Sequence, residues 1–184
     1  MPASLDAALP YLRAEREPEP GDTPDGRAPV LVRITADLLV GYRIDADDDF
    51  SFVVERDLQS NGVDVGALHE RAVGNLARLA KAGNLRIAPY GPIVAVQFDG
   101  DLEATLLLVD ELCEQLQAEV GDDMLAAVPA RDVWAVGNVG DAEAAAALEA
   151  IVAKVWRENR HRLSRELLIR EDGGWSTFDP RAPG

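Results

Sequence analysis

An α+β fold is predicted: two layers, a mainly antiparallel sheet built from repeated strand–strand–helix units, and helices on one face. Three observations predict it. Apolar and polar residues alternate in paired stretches at residues 38–45 with 50–55, 85–90 with 93–98, and 124–128 with 133–137. A stretch of helical period follows each pair, at about 66–81, 101–119 and 141–161. Turn-forming residues separate the members of each pair. A period of two needs extended backbone and a period of about 3.6 needs helix, so the patterns specify different elements.

Residues 1–29 read as an amino-terminal arm and Pro-rich linker, and residues 30–184 as a single α+β domain. In the arm, Leu5, Leu9 and Leu12 line a short predicted helix after Ser4, limited by Pro10. Residues 15–29, EREPEPGDTPDGRAP, hold four prolines and little apolar surface, which makes them an extended linker. The arm is expected to fold back onto the domain.

In the first hairpin Leu38, Val40, Tyr42 and Ile44 alternate with Leu39, Gly41, Arg43 and Asp45, and Phe50, Phe52 and Val54 continue the pattern. The second hairpin turns at Tyr90-Gly91-Pro92 and the third at residues 129–132, where glycine, proline and aspartate suit tight turns. The first helix buries Leu68, Ala72, Leu76 and Leu79. The third buries Leu148, Ile151, Val152, Val155 and Trp156, with Asp141 as its N-cap. A last hairpin, residues 167–170 with 174–178, turns at Asp172-Gly173.

The chain has 184 residues, enough to bury a core without metal or disulfide support. No apolar run reaches the roughly 20 residues that cross a bilayer, and Asp6 and Pro10 interrupt any secretory leader. A cytoplasmic location and no membrane partner are expected. Cys113, the lone cysteine, shares a helix face with Leu102, Leu106, Val109, Leu116 and Val120, which assigns it to core packing. The net charge of −15 repels phosphate backbones, so no nucleic-acid partner is expected and a basic protein partner suits the surface. Against that background Arg157, Arg160, His161, Arg162 and Arg165 crowd the end of the third helix, where cations complement the helix dipole.

Candidate chemistry is sparse. The acidic run from Asp45 to Asp49 has Phe50 and Arg56 where a calcium loop needs glycine and glutamate, and is expected to be a solvated turn. His69-Glu70 opens like a zinc-protease helix, but Val73 stands where the second histidine belongs. Gly62 and Gly66 lead into the first helix without the strand–glycine–helix order of a phosphate loop. No metal, cofactor or catalytic residue is assigned. Asn75 borders the buried stripe of its helix, so its amide needs partners, expected on a neighbouring strand or turn. Arg131 and Asp132, beside Pro129, either fix the third turn or present an arginine fork to an anion.

Several of these stretches together resemble the YtpQ-like family of bacterial proteins, classed as domain of unknown function 1444. They are Leu9-Pro-Tyr-Leu-Arg13, Thr23-Pro-Asp-Gly26, the hairpin within residues 39–58, Ala72-Val-Gly-Asn-Leu76 and Ala127-Val-Pro-Ala-Arg-Asp-Val-Trp-Ala-Val136. The resemblance spans residues 9–178, and family members often extend further at the amino end. It implies no activity and no catalytic residue, and marks Pro10, Arg13, Asn75, Pro129 and Asp132.

The resulting expectation is a non-catalytic protein-interaction or adaptor module with an acidic surface. The alternative is a small-ligand-binding protein or enzyme with a pocket near Asn75, Arg131 and Asp132. Pro10, Arg13, Asn75, Pro129, Arg131 and Asp132 are the candidate ligand or structural-anchor residues, and the sequence sets no oligomeric state.

Overall fold

The computed structural model describes residues 4–15, 28–46 and 49–181, so most of the Pro-rich linker and the centre of the acidic 45–49 turn lie outside the described residues. The class is α+β, built on two antiparallel sheets. Its first element corrects the predicted arm helix. A single 3₁₀ turn, Leu5–Ala7, leads into strand β1, Leu9–Ala14. The leucine spacing suited a helix, but Pro10 has no N–H to give one. The segment instead pairs along its whole length with strand β3, Leu38–Ala46, from Leu9 opposite Arg43 to Ala14 opposite Leu38. Strands β2 (Val32–Arg33) and β4 (Asp49–Phe52) also pair with β3, completing a four-stranded sheet.

The strand expected to run through residue 55 stops at Phe52, and helix α1, Glu55–Asn61, follows. Asp57 starts it by accepting the Val54 N–H at 3.0 Å, and Gly62, at φ 62°, ends it in the left-handed region that glycine tolerates. Asp64 then caps helix α2, Val65–Ala82, through a 2.8 Å bond from the Ala67 N–H. The buried row of α2 is Leu68, Ala72, Leu76 and Ala80. Leu79, predicted to close that row, is exposed, because the row advances by four residues each step.

The larger sheet has six strands in the order β10-β9-β7-β8-β6-β5. They are β5 (Arg86–Tyr90), β6 (Ile93–Gln97), β7 (Met124–Ala130), β8 (Val133–Asn138), β9 (Leu168–Glu171) and β10 (Gly174–Thr177). Asp172 and Gly173 both take positive φ, 50° and 77°, as the Asp-Gly turn between β9 and β10 demands. Outermost strand β5 carries Pro89 opposite Val94.

The helix expected over residues 101–119 is divided into a 3₁₀ helix, Ala104–Leu108, and α3, Asp110–Val120, with Val109 extended between them. The break is held on the Leu107 carbonyl, which accepts from Cys113 Sγ at 3.2 Å and from Trp175 Nε1 at 2.9 Å. Helix α4, Ala142–Glu158, starts at Asp141, whose Oδ1 accepts from the N–H groups of Glu143 and Ala144.

Every residue of β7 is buried. Met124, Ala126 and Val128 belong to one core, with residues of the 3₁₀ helix, α3 and the smaller sheet, while Leu125 and Ala127 belong to a second core with Ala144, Leu148 and Val152 of α4. Helices therefore cover both faces of the six-stranded sheet, where a single covered face was expected. Periodicity tells which residues are buried and leaves open what buries them. Leu148, fully buried in the second core, tests this arrangement. Leu148→Ala is expected to lower the unfolding free energy in urea by about 2–5 kcal/mol, the usual cost of a large-to-small core change.

Candidate functional site

One face of the smaller sheet is unusual in composition. Tyr11 and Arg13 on β1 share it with Gly41 and Arg43 on β3 and with Phe50 and Phe52 on β4, because Tyr11 lies opposite Gly41 and Arg43 opposite Phe52. The sequence pattern assigned Phe50 and Phe52 to a buried stripe, but the register puts them beside the arginines. Arg43 lies with Cζ 4.9 Å from the Tyr11 ring centroid and 5.3 Å from that of Phe50, and Arg13 lies 5.4 Å from Phe52. A Cβ on Gly41 would stand in ordinary contact with Arg13 Cδ, at 3.6 Å. Arg43 is nearly buried and is balanced by Asp101, at 2.7 Å, and Asp45, at 3.0 Å. Guanidinium over an aromatic ring stabilises by roughly 0.5–2 kcal/mol, more where water is excluded.

The third hairpin turn reaches this face. Arg131 places Cζ 4.4 Å from the Tyr11 centroid, so the Pro10–Arg13 stretch meets the turn that follows Pro129. On its other side that turn holds the segment after α4. Leu163 N–H donates to the Pro129 carbonyl at 2.9 Å, Arg131 N–H to the His161 carbonyl at 3.2 Å, and Asn159 Nδ2 to Asp132 Oδ1 at 3.0 Å. Ser164 adds a 2.7 Å bond to Asp37 Oδ2. A β-bulge falls in β7 between Ala127 and Ala130, around Pro129, which lacks the donor a regular ladder needs there.

Asn75 lies in a different neighbourhood. Its Nδ2 donates to the carbonyls of Asp6 and Ala8, both at 2.8 Å, and Arg78 donates to its Oδ1. Pro129, Arg131 and Asp132 thus hold the 159–164 segment, Arg131 reaches Tyr11 between Pro10 and Arg13, and Asn75 binds the turn that precedes β1. Tyr11, Arg43 and Trp156 were not singled out from the sequence. The shared register face of Gly41, Arg43, Phe50 and Phe52 was the available signal for Arg43, whereas Tyr11 lay in a segment read as helix.

His69 and Tyr42 form a further polar pair, with His69 Nδ1 2.8 Å from Tyr42 Oη. Burial pushes the Tyr42 hydroxyl up to about 12 and holds the His69 imidazole below its usual value, against a smaller opposing pull from Glu70. Among the described residues no group of three or more His, Cys, Asp or Glu side chains could hold a metal ion.

The sequence is similar to proteins named UPF0354 protein from Bacillus cereus (strain AH187), Bacillus thuringiensis subsp. konkukian (strain 97-27) and Bacillus anthracis. Each is 21% identical over 172 residues, 94% of this chain. The chain spans 62% of the length of these relatives. They are distant homologues in an uncharacterised bacterial family. No family model matches the sequence, and no solved structure matches the chain significantly.

Two measurements check these contacts. Asn75→Ala leaves the Ala8 carbonyl without its donor, and is expected to cost about 1–3 kcal/mol in chemical unfolding. The value should fall at the low end, because the Asp6 carbonyl is exposed to water. For His69, the unfolded chain binds a proton that the folded chain resists, so its contribution is present above its ordinary value of 6.5 and is lost as pH falls below it. Melting temperatures taken across that value should decline with acidification in the native chain and decline less in His69→Gln.

Proposed function

We propose that the chain is a non-catalytic protein-interaction module of the YtpQ-like family, with an acidic surface that engages a basic protein partner. The observation that carries this reading is the outer side of α3. Leu112, Cys113 and Leu116 turn into the core, which leaves Glu111, Glu114 and Glu119 on the exposed side, followed by exposed Asp122 and Asp123. Lys81 answers Glu111 alone among these, at 2.6 Å, and holds its carboxyl below the usual range through that hydrogen bond and its charge. The others have no cation beside them among the described residues. Such a surface speeds encounter with positive partners and weakens as salt rises.

The excess of carboxylates disfavours nucleic acid, and the lone buried thiol suits a reducing cytoplasm. A second reading, small-ligand binding at the third hairpin turn, draws support from the Arg131–Tyr11 contact alone, since Asn75 is spent on backbone carbonyls elsewhere.

The immobilised chain, washed at low salt with lysate of the source organism, is expected to retain basic proteins. The variant Glu114→Gln/Glu119→Gln/Asp122→Asn/Asp123→Asn should release them. Equal retention by both forms, or none by either, defeats the proposal.

A further inference from the structure

The basic residues after α4 do more than answer a helix dipole. Arg157 alone among them lies in the last turn of α4. Arg162 and Arg165 double back over Trp156, with Cζ 5.5 and 5.4 Å from the ring centroid. Trp156 was expected in the buried stripe of α4, but it is half-buried and lines two adjoining grooves. One, of about 540 Å³, runs between Trp156, Arg162, Leu163 and Arg165 on one side and Ala14 and Ala36 on the other. The other, of about 330 Å³, continues past Trp156 and Arg165 along Val152 and Ala153.

Charge is distributed there against the general trend of the molecule. Carboxylates outnumber cations by 33 to 18, and Arg33, Arg43, Arg71, Lys81 and Arg170 each pair with one. Arg157, Arg160, Arg162 and Arg165 pair with none among the described residues. Two carboxylates on the groove wall are engaged elsewhere: Glu15 by Arg33, and Asp37 by Ser164 and by Thr35 at 2.9 Å. Exposed Glu166 on the rim and exposed Glu149 beside the second groove are the local exceptions, facing Arg157, Arg162 and Arg165.

The segment bearing these arginines is held in place beforehand. Pro129, Arg131, Asp132 and Asp37 fix residues 159–164 through the bonds described above, so little ordering is needed when a ligand arrives. Arg162 Nε already donates to the Asn159 carbonyl at 3.0 Å, which holds its guanidinium near the ring and leaves the two terminal amino groups to receive a carboxylate.

We propose that the Trp156 groove is a docking site for a short acidic segment of a partner protein. Its carboxylates are taken by Arg162 and Arg165, and an apolar side chain rests on half-buried Trp156 beside Ala14 and Ala36. Charge complementarity selects this occupant. Long polyanions meet the repulsion of a net −15 chain, whereas a short segment brings few charges and fits a groove of ligand size. The site differs from the α3 surface in place and in sign, so either can fail without the other.

The test is fluorescence anisotropy of a labelled short peptide alternating Glu and Leu, added to the full chain. Saturable binding that weakens with salt is expected, reduced at least about tenfold in Arg162→Gln/Arg165→Gln, with a Gln/Leu peptide not bound. If the double variant melts early, Arg165→Lys replaces it: charge is kept but the planar fork is lost, and affinity should still fall. Undiminished binding in a folded variant, equal binding of the Gln/Leu peptide, or preference for single-stranded RNA or anionic vesicles overturns the proposal. So does sedimentation showing that the groove is filled by a second copy of this chain.

Discussion

The arrangement depends on one strand that has no wet side. All seven residues of β7 are shielded, with Met124, Ala126 and Val128 pointing one way and Leu125 and Ala127 the other. A sheet strand buried on both sides must be covered twice, and the chain supplies the covers from different regions. Helix α4 forms one. The 3₁₀ helix, α3 and the smaller sheet form the other. Small side chains set how closely α4 approaches: a Cβ on Gly137 would meet Ala144 Cβ at 3.0 Å, so glycine and alanine bring helix and sheet together. Leu148 and Val152 then fill the space between them.

Much of this could be read from local pattern, and the failures share a cause. The second, third and last hairpins, helix α2 and the Asp141 cap carry their own signals within a few residues, in strict alternation, turn glycines and a capping carboxylate. Strand β1 carries a misleading one. Leu5, Leu9 and Leu12 are spaced for a helix, and only pairing with β3, far along the chain, makes the segment extended. Helix α1 has seven residues and follows directly on a strand whose alternation continues to Val54. The division into two sheets leaves no trace in periodicity. For the site, the need of Asn75 for backbone partners followed from its helix position, but those partners, at Asp6 and Ala8, came from an arm read as a helix. Trp156 sat at a buried spacing, and it was the return of the chain after α4 that put arginines over it.

Bulk charge and local charge also tell different stories. A net value of −15 describes the average surface, yet arginines gather on aromatic rings in two places: around Tyr11 in the smaller sheet and around Trp156 at the end of α4. The turn at Arg131 and Asp132 links them, touching Tyr11 on one side and holding Asn159 and His161 on the other. A disturbance at either ring therefore has a short covalent and hydrogen-bonded route to the other.

Pro89 in β5 has a consequence for how molecules of this protein behave when crowded. An unpaired outer strand invites a neighbour's backbone to add on, the first step of runaway stacking into insoluble fibrils. Proline withholds a donor from that edge, and Arg86 on the same strand adds charge. At the rim of the smaller sheet, Thr105 Oγ1 already occupies the Leu12 N–H that an intruding strand would need. Concentrated solutions are thereby protected from zippering at these two borders by a missing hydrogen and an occupied one.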